Sequence, residues 1–338
     1  GSSTEQAPTT QGSPTTATGG RRTWTVTDRE ANLALDGSAG AVTYDAATGT
    51  LRVSTADGTS DLPVAGLVRI VIRSAGGTVV VVGHVRLTST GLLIAAGEIV
   101  VSAGSSIDTT GNAGDGDLVL DARDESTGSA SSASASVDVT GAALRGGDLT
   151  LSARASTTGG AAGTAASVTG SSTARVSVVD SVLQSSGDIS LLSDSRAVGA
   201  ATATGEASHT SSTTDAAQAT VVLSSRAETR LGGKSRVTAA GALDVVATNH
   251  TDARAVSDAS GAAAGAGVAT AAVQRNTRAV IDGASAKGIR VGRLGIDATS
   301  SGELWVDSSG NTTGASSNTT APITATLGTA RSTHGAVR

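Results

Sequence analysis

The sequence predicts an all-β chain wound as a β-solenoid, a stack of coils in which each coil rests only on its neighbours. Three observations lead to this fold class. A short phrase of glycine and alternating apolar residues recurs along the chain, and no apolar stripe of helical spacing competes with it. The chain also contains no Cys, Met or Phe, so its core must be built from Val, Leu, Ile and Ala.

The recurring phrase is a glycine, a residue that is often acidic, and then an alternating strand, as in the Gly-Asp-Leu-Thr-Leu-Ser-Ala of residues 147–153. Its third and fifth positions are Leu, Ile or Val, and on a strand those two side chains point to one face. The glycine lets the chain turn sharply before the strand begins. The copies begin at Gly97, Gly116, Gly147, Gly187, Gly241 and Gly292.

The phrase is the last part of a longer unit. An apolar anchor precedes it by a few residues, at Leu144, Leu183, Val237 and Ile289. Another alternating strand lies further back, at 136–139, 175–178, 220–223 and 278–281. One unit therefore comprises strand, turn, short strand, turn and strand, which is typical of successive solenoid coils. A β-meander or β-sandwich is the alternative.

Composition narrows the class of protein. The 338 residues include 44 glycines and only three aromatic residues, Trp24, Tyr44 and Trp305, which suits a narrow interior stacked from like side chains. The absence of cysteine fits an exported bacterial protein that folds without disulfides. A net charge of −5 and the lack of a basic stripe argue against a nucleic-acid partner. No apolar run is long enough for a membrane span.

The chain divides into four predicted regions. Residues 1–20 are polar and small, and they predict a disordered tag or linker. Residues 21–61 alternate irregularly and contain Trp24 and Tyr44, which predicts either imperfect first coils or a cap over the open end of the solenoid. Residues 62–300 are the solenoid itself. Residues 301–338 predict a last excursion followed by a partly disordered tail.

The coils grow longer after Gly116, and the extra residues all follow the phrase. Segments 155–172, 197–219 and 253–272 consist mainly of Ala, Ser, Thr and Gly. These side chains are too small to form a core, so the segments are predicted to leave the solenoid side as two-stranded ribbons that stack on the ribbon of the next coil. Disordered loops are the alternative.

The unit resembles the repeats of large bacterial surface proteins, namely the β-strand-repeat and filamentous (leukotoxin- or haemagglutinin-like) adhesins, over roughly residues 95–300. The resemblance implies a right-handed parallel β-helix in an extracellular or cell-surface location. It also implies a structural stalk or adhesin segment, not an enzyme, that projects or spaces binding modules. Its partners would be neighbouring coils of a longer protein and, in addition, a host or matrix glycan or another copy of itself.

Candidate chemistry is sparse. Asp115 and Asp117 lie in a Gly- and Asp-rich stretch that partly matches calcium-binding β-rolls. Calcium is therefore the candidate cofactor, and a polar turn is the alternative. Asp117, Asp148 and Asp188 are predicted to stack at the turn. There they would bond to the backbone or, in the rival reading of a polysaccharide-binding or polysaccharide-degrading β-helix, act as clustered carboxylates. The histidines are far apart, and sequons begin at Asn249, Asn311 and Asn318.

Overall fold

The computed structural model describes residues 23–112, 114–205, 215–260, 265–282, 288–309, 323–327 and 336–337. These residues contain 25 β-strands and no α-helix, which confirms the all-β class. No helix among them is long and apolar enough to cross a membrane. The predictions for residues 1–20 and for most of the C-terminal tail lie outside the described residues.

The strands follow one another with short connections. In chain order they are β1 (Thr25–Thr27), β2 (Glu30–Ala34), β3 (Gly40–Asp45), β4 (Thr50–Thr55), β5 (Gly58–Pro63), β6 (Arg69–Val81), β7 (His84–Arg86), β8 (Gly91–Val101), β9 (Ser106–Asp108), β10 (Leu118–Thr127), β11 (Ala130–Thr140), β12 (Ala143–Gly146), β13 (Leu149–Gly163), β14 (Ala165–Val179), β15 (Val182–Ser185), β16 (Ile189–Thr204), β17 (Asp215–Gly232), β18 (Arg236–Ala239), β19 (Ala242–Asp258), β20 (Gly265–Ile281), β21 (Ile289–Arg290), β22 (Arg293–Ser301), β23 (Leu304–Ser309), β24 (Ile323–Leu327) and β25 (Ala336–Val337).

Parallel pairing arranges most of these strands into three stacks. Stack A contains β2, the first half of β6, the first half of β8, β10, β13, β16, β19 and β22. Stack B contains β3, the second halves of β6 and β8, β11, β14, β17 and β20. Stack C contains β7, β9, β12, β15, β18 and β21. We call one passage of the chain through stacks A, B and C a layer, and six complete layers run from β6 to β21.

Like side chains lie over one another inside the stacks. In stack A, Leu118 pairs with Leu149, which pairs with Ile189, which pairs with Leu243. Leu144 and Leu183 pair in the same way in stack C. The apolar side chains that the phrase predicts to be stacked in three of the copies are all buried, namely Leu149, Leu151, Ile189, Leu191, Leu243 and Val245, whereas Leu294 in the last copy is exposed. A single apolar cluster contains residues of all three stacks.

One copy of the phrase belongs to a different stack. Ile99, in the copy that begins at Gly97, pairs with Val137 and lies in stack B. The residues that pair with Leu118 in stack A are instead those around Leu92. The sequence does not distinguish the two positions, because β8 runs through both stacks without a long connection. A glycine followed by alternating apolar residues therefore occurs at the start of each half of β8.

The long segments extend stacks A and B outwards as pairs of strands that we call arms. The predicted two-stranded ribbon is wrong in one respect. The outgoing strand β13 pairs with β10 and β16, whereas the returning strand β14 pairs with β11 and β17. An arm is therefore one strand from each of two parallel sheets, and the two sheets pack face to face.

The arms have their own apolar core, contrary to the expectation that their side chains are too small to form one. Val221 and Leu223 lie in this core, and Val221 pairs with Val168, although the sequence pattern placed residues 220–223 in the solenoid wall. The stack B position in that layer is Leu231, which pairs with Val178. The arm core comprises Ala166, Val168, Ala197, Ala201, Ala203, Ala217, Ala219, Val221, Leu223, Ala253, Ala255, Ala259, Ala269, Ala271 and Val273.

A seam of buried hydroxyl and amide groups separates the arm core from the core of the stacks. Ser195 Oγ lies 2.9 Å from Ser172 Oγ and 2.7 Å from Ser225 Oγ. In the next layer Asn249 Nδ2 donates a hydrogen bond of 3.0 Å to the carbonyl oxygen of Ser225. Along each strand these residues fall between members of the two apolar clusters. Hydrogen bonds within one layer and between adjacent layers therefore satisfy these buried polar groups.

Antiparallel strands precede the first complete layer. Strands β1 and β2 form a hairpin, and β3, β4 and β5 form a meander. Strands β2 and β3 also pair in parallel with β6. Trp24 is buried in the core beside them.

Candidate functional site: the turn between stacks C and A

The turn that leads from stack C into stack A carries an aspartate in three successive layers. Asp117, Asp148 and Asp188 each stand immediately before the first residue of a stack A strand. The registers of β10, β13 and β16 place those first residues over one another. The predicted column of turn aspartates is therefore present.

Each of these carboxylates accepts a hydrogen bond from the backbone of the next layer. Asp117 Oδ1 accepts from the N–H of Asp148 at 3.0 Å, and Asp148 Oδ1 accepts from the N–H of Asp188 at 2.8 Å. Asp188 Oδ1 accepts from the N–H of Ala242 at 2.6 Å. Hydrogen bonds to an ionised acceptor are stronger than neutral ones, so this aspartate ladder ties four layers together.

The glycine of the phrase is needed for space, not for a left-handed turn. Gly147, Gly187 and Gly241 are absent from the residues with positive φ. A Cβ atom built on Gly147 would lie 2.7 Å from Asp117 Oδ1. At Gly187 the Cβ would meet Asp148 Oδ1 still more closely. The glycine and the aspartate of the phrase therefore act together across two layers, because the aspartate side chain of one layer occupies the space that the glycine of the next layer leaves free.

The calcium candidates Asp115 and Asp117 line the same surface depression as Arg69. Asp115 Oδ1 accepts from the N–H of Gly111 at 3.1 Å, so each carboxylate already has a backbone donor. Among the described residues there is no group of three or more His, Asp or Glu side chains that could hold a metal ion. Calcium usually takes six to eight oxygen ligands, and two carboxylates beside an arginine supply few of them.

Calcium binding at this depression can be tested by thermal unfolding. A calcium ion held by Asp115 and Asp117 in the folded state alone would stabilise it by about 1.4 kcal/mol at ten times the dissociation constant. The melting temperature would then rise with millimolar calcium, and Asp115→Asn would abolish the rise. An unchanged melting temperature with calcium and with chelator would remove the site from consideration.

The structure brings one histidine into contact with a serine and an aspartate. His250 Nε2 lies 2.7 Å from Asp252 Oδ2, and His250 Nδ1 lies 3.0 Å from Ser301 Oγ. Although burial acts in the opposite direction, the N–H of Glu303 and the ring of His250 hold the pKa of Asp252 below its ordinary value. His250 and Ser301 are 51 residues apart, so only the layer register reveals the contact. It links layer 6 to β22 on the outer face of the arms.

The other sequence candidates that lie among the described residues are not brought together. His84 lies in stack C, where its Nδ1 is 2.9 Å from Ser106 Oγ, and His209 and His334 are outside the described residues. Asn249, the first residue of a sequon, is fully buried and its amide is hydrogen bonded within the seam. A folded chain therefore offers no glycan acceptor at that position. Asn311 and Asn318 are outside the described residues.

The outer face of stack B contains one carboxylate whose charge is unfavourable. Burial raises the pKa of Asp138, the Arg175 guanidinium partly offsets this, and Glu98 raises the pKa further. A folded-state pKa above the unfolded value means that the ionised group destabilises the fold at neutral pH and that this penalty disappears as pH falls through the folded pKa. We therefore expect Asp138→Asn to raise the melting temperature at pH 7, with a smaller gain in acid.

Asp61 provides the matched control of opposite sign. Its hydrogen bond from Arg52 lowers the pKa of Asp61, so its ionised form stabilises the fold above its unfolded pKa and loses that effect as pH falls through the folded pKa. Asp61→Asn should therefore lower the melting temperature at pH 7. A lower melting temperature for Asp138→Asn at pH 7 would contradict the assignment for Asp138.

Comparison with protein-family models, curated proteins and solved structures finds no match for this chain. The resemblance to adhesin repeats accordingly stays a prediction. What the structure supplies is the geometry of the turn and of the three stacks.

Proposed function

We propose that this chain is a right-handed parallel β-helix that serves as a stalk or adhesin segment of a large exported bacterial surface protein. The observation that carries the proposal is the continuous parallel register of three stacks around one apolar core. The right hand follows from the strong chiral preference of parallel β connections. The extracellular or cell-surface location and the longer parent protein are part of the same proposal and rest on the resemblance of the repeats.

The geometry suits a spacer, because the length of the stacks increases by the same amount with each added layer. Each layer adds about 4.8 Å along the stacks, so stack A, eight strands deep, measures about 34 Å. The stack is short for a chain of 338 residues, because the arms take up residues that would otherwise form further layers. The arms make the molecule broad, because the 17 residues of β19 extend over about 56 Å.

The contacts between layers favour stiffness. The aspartate ladder, the seam and the like-on-like apolar register all include contacts between neighbouring layers. In repeat structures the stability is close to a sum of such nearest-neighbour terms. A segment built in this way resists bending, since tilting one layer on the next breaks contacts in three stacks at once.

The rival reading, a polysaccharide-degrading β-helix, needs free carboxylates in acid and base roles. Asp117, Asp148 and Asp188 each accept a backbone hydrogen bond instead, which favours the structural role. Release of reducing or unsaturated ends from polysaccharides by the wild type, abolished in Asp148→Asn or Asp188→Asn, would overturn the structural proposal.

Single-molecule pulling tests the stalk directly. With force applied between the chain termini, we expect a series of small unfolding events, because each layer contacts only its neighbours and can be lost separately. Solution scattering of the same protein should show a broad particle at least about 56 Å across, as the arm strands require. One all-or-none unfolding event together with a compact spherical scattering profile would contradict the proposal.

A further inference from the structure

The outer face of stack C gathers four arginines that are far apart in sequence. One file of outward residues runs through the registers of β7, β9 and β12, then β15, β18 and β21. A second file lies beside it and contains His84 and, four layers on, Arg236. The first file consists of Arg86, Asp108, Arg145, Gln184, Thr238 and Arg290. We call the surface formed by these two files the arginine strip.

The arginines of the strip are exposed and have no ion pair. None of Arg86, Arg145, Arg236 and Arg290 lies within 4.0 Å of a carboxylate among the described residues, and all four are exposed. Seven arginines of stacks A and B do have carboxylate partners, which shows that pairing is common elsewhere on this surface. These are Arg69, Arg123, Arg175, Arg226, Arg230, Arg278 and Arg293.

The strip is basic although the chain carries a formal net charge of −5. Among the described outward residues of stack C the one carboxylate is Asp108, and its Oδ1 already accepts from the N–H and the Oγ1–H of Thr110 at 3.0 and 2.6 Å. The turn aspartates Asp117, Asp148 and Asp188 border the strip along one side. The positive charge of the strip thus forms a narrow line that runs parallel to the stacking direction.

We propose that the arginine strip binds a linear acidic polysaccharide laid along stack C. Arginines stand in layers 1, 3, 5 and 6, so most neighbours are two layers or about 10 Å apart along the stack. A planar guanidinium donates two parallel hydrogen bonds to a carboxylate or sulfate group. A polysaccharide with regularly spaced acidic groups therefore meets a donor pair at intervals, and this binding role goes beyond that of a stalk.

The surroundings of the strip favour a polysaccharide over a nucleic acid. Proteins that bind single-stranded nucleic acids combine a basic groove with aromatic side chains on which the bases stack. The aromatic residues of this chain lie elsewhere, because Trp24 is buried, Tyr44 belongs to β3 and Trp305 to β23. Stack C strands have at most four residues, a width of roughly 13 Å, and the bordering aspartates would repel a wide polyanion.

The test is a binding titration of the full chain with polygalacturonate oligomers, with heparin fragments and with neutral dextran. Polygalacturonate offers carboxylate groups alone, whereas heparin offers sulfate groups in addition, so binding of heparin only would indicate that sulfate is required. We expect binding of an acidic probe that weakens as salt is raised from about 50 to about 300 mM, since exposed charges are screened. Arg86→Gln/Arg145→Gln/Arg236→Gln should lose roughly tenfold or more in affinity, at about two- to fivefold for each exposed contact.

The matched control removes three exposed arginines from the outer face of the arms. Arg154→Gln/Arg196→Gln/Arg254→Gln has the same change in net charge and should alter the affinity less than about twofold. Asp108→Asn should tighten binding about two- to fivefold, because it removes the carboxylate from the strip. Unchanged melting temperatures would show that all variants are folded.

Several results would overturn the proposal. Equal losses in the two triple variants would show that net charge alone governs binding. Tighter binding of single- or double-stranded DNA than of either acidic polysaccharide would assign the strip to nucleic acid. The proposal would also be wrong if neither acidic probe binds at about 50 mM salt, or if dextran binds as tightly as the acidic probes. None of these results bears on the pulling experiment, so the stalk is judged separately.

Discussion

Leu151→Asp should destabilise the fold by about 4 kcal/mol or more, because it places a charge without a partner in an apolar core. Leu151 is fully buried and lies in register between Leu120 and Leu191. A stacked core offers no nearby route to solvent, since the layers above and below repeat the same apolar position. Denaturant unfolding followed by circular dichroism measures the loss.

Thr158→Asp is the matched control on the same strand. Thr158 is exposed on the outer face of β13, and surface substitutions of this kind usually change stability by less than about 0.5 kcal/mol. If Leu151→Asp is as stable as Thr158→Asp, the register of stack A is wrong.

Gly187→Ala should cost about 2 kcal/mol, because its methyl group would occupy the position of the Asp148 carboxylate. The Asp148 carboxylate must then move away, which breaks the hydrogen bond of 2.8 Å that it accepts from the N–H of Asp188. The loss is shared between steric strain and a broken hydrogen bond. Equilibrium unfolding of the variant gives its size.

A double-mutant cycle separates the two contributions. In an Asp148→Ala background the methyl group of Gly187→Ala has room, so its cost should fall by about 1–2 kcal/mol. Gly160→Ala is the control, because Gly160 has no heavy atom within 4 Å of the added Cβ, and it should be close to neutral. Additive effects of Asp148→Ala and Gly187→Ala would show that aspartate and glycine do not share the space assigned to them.

The sequence predicts those features of the fold that depend on local patterns of residues. The alternation of Leu149 and Leu151 identifies a strand with one buried face, and its recurrence identifies layers of one kind. The turn aspartates were expected to bond to the backbone, and they do. For the glycine of the phrase, the sequence suggested a conformational reason, whereas the structure shows a steric one.

The remaining features depend on register between distant residues. Ile99 cannot be assigned to stack B from its own phrase, which has apolar residues at the same positions as the stack A phrases. The arginine strip is invisible in sequence for the same reason, because Arg86 and Arg145 are aligned only once the lengths of the intervening arms are known. Whether an arginine has a carboxylate partner likewise depends on the three-dimensional positions of the two side chains.

The hydroxyl seam has an evolutionary consequence. Because it divides the apolar interior in two, residues can be added at the tip of an arm without altering the packing of Leu149 or its counterparts. The arm strands do differ in extent, from 10 residues in β10 to 15, 16 and 17 in β13, β16 and β19. In register, β16 extends one residue beyond the end of β13, and β19 ends level with β16. Breadth can therefore drift by small insertions while the pitch of the stack is conserved.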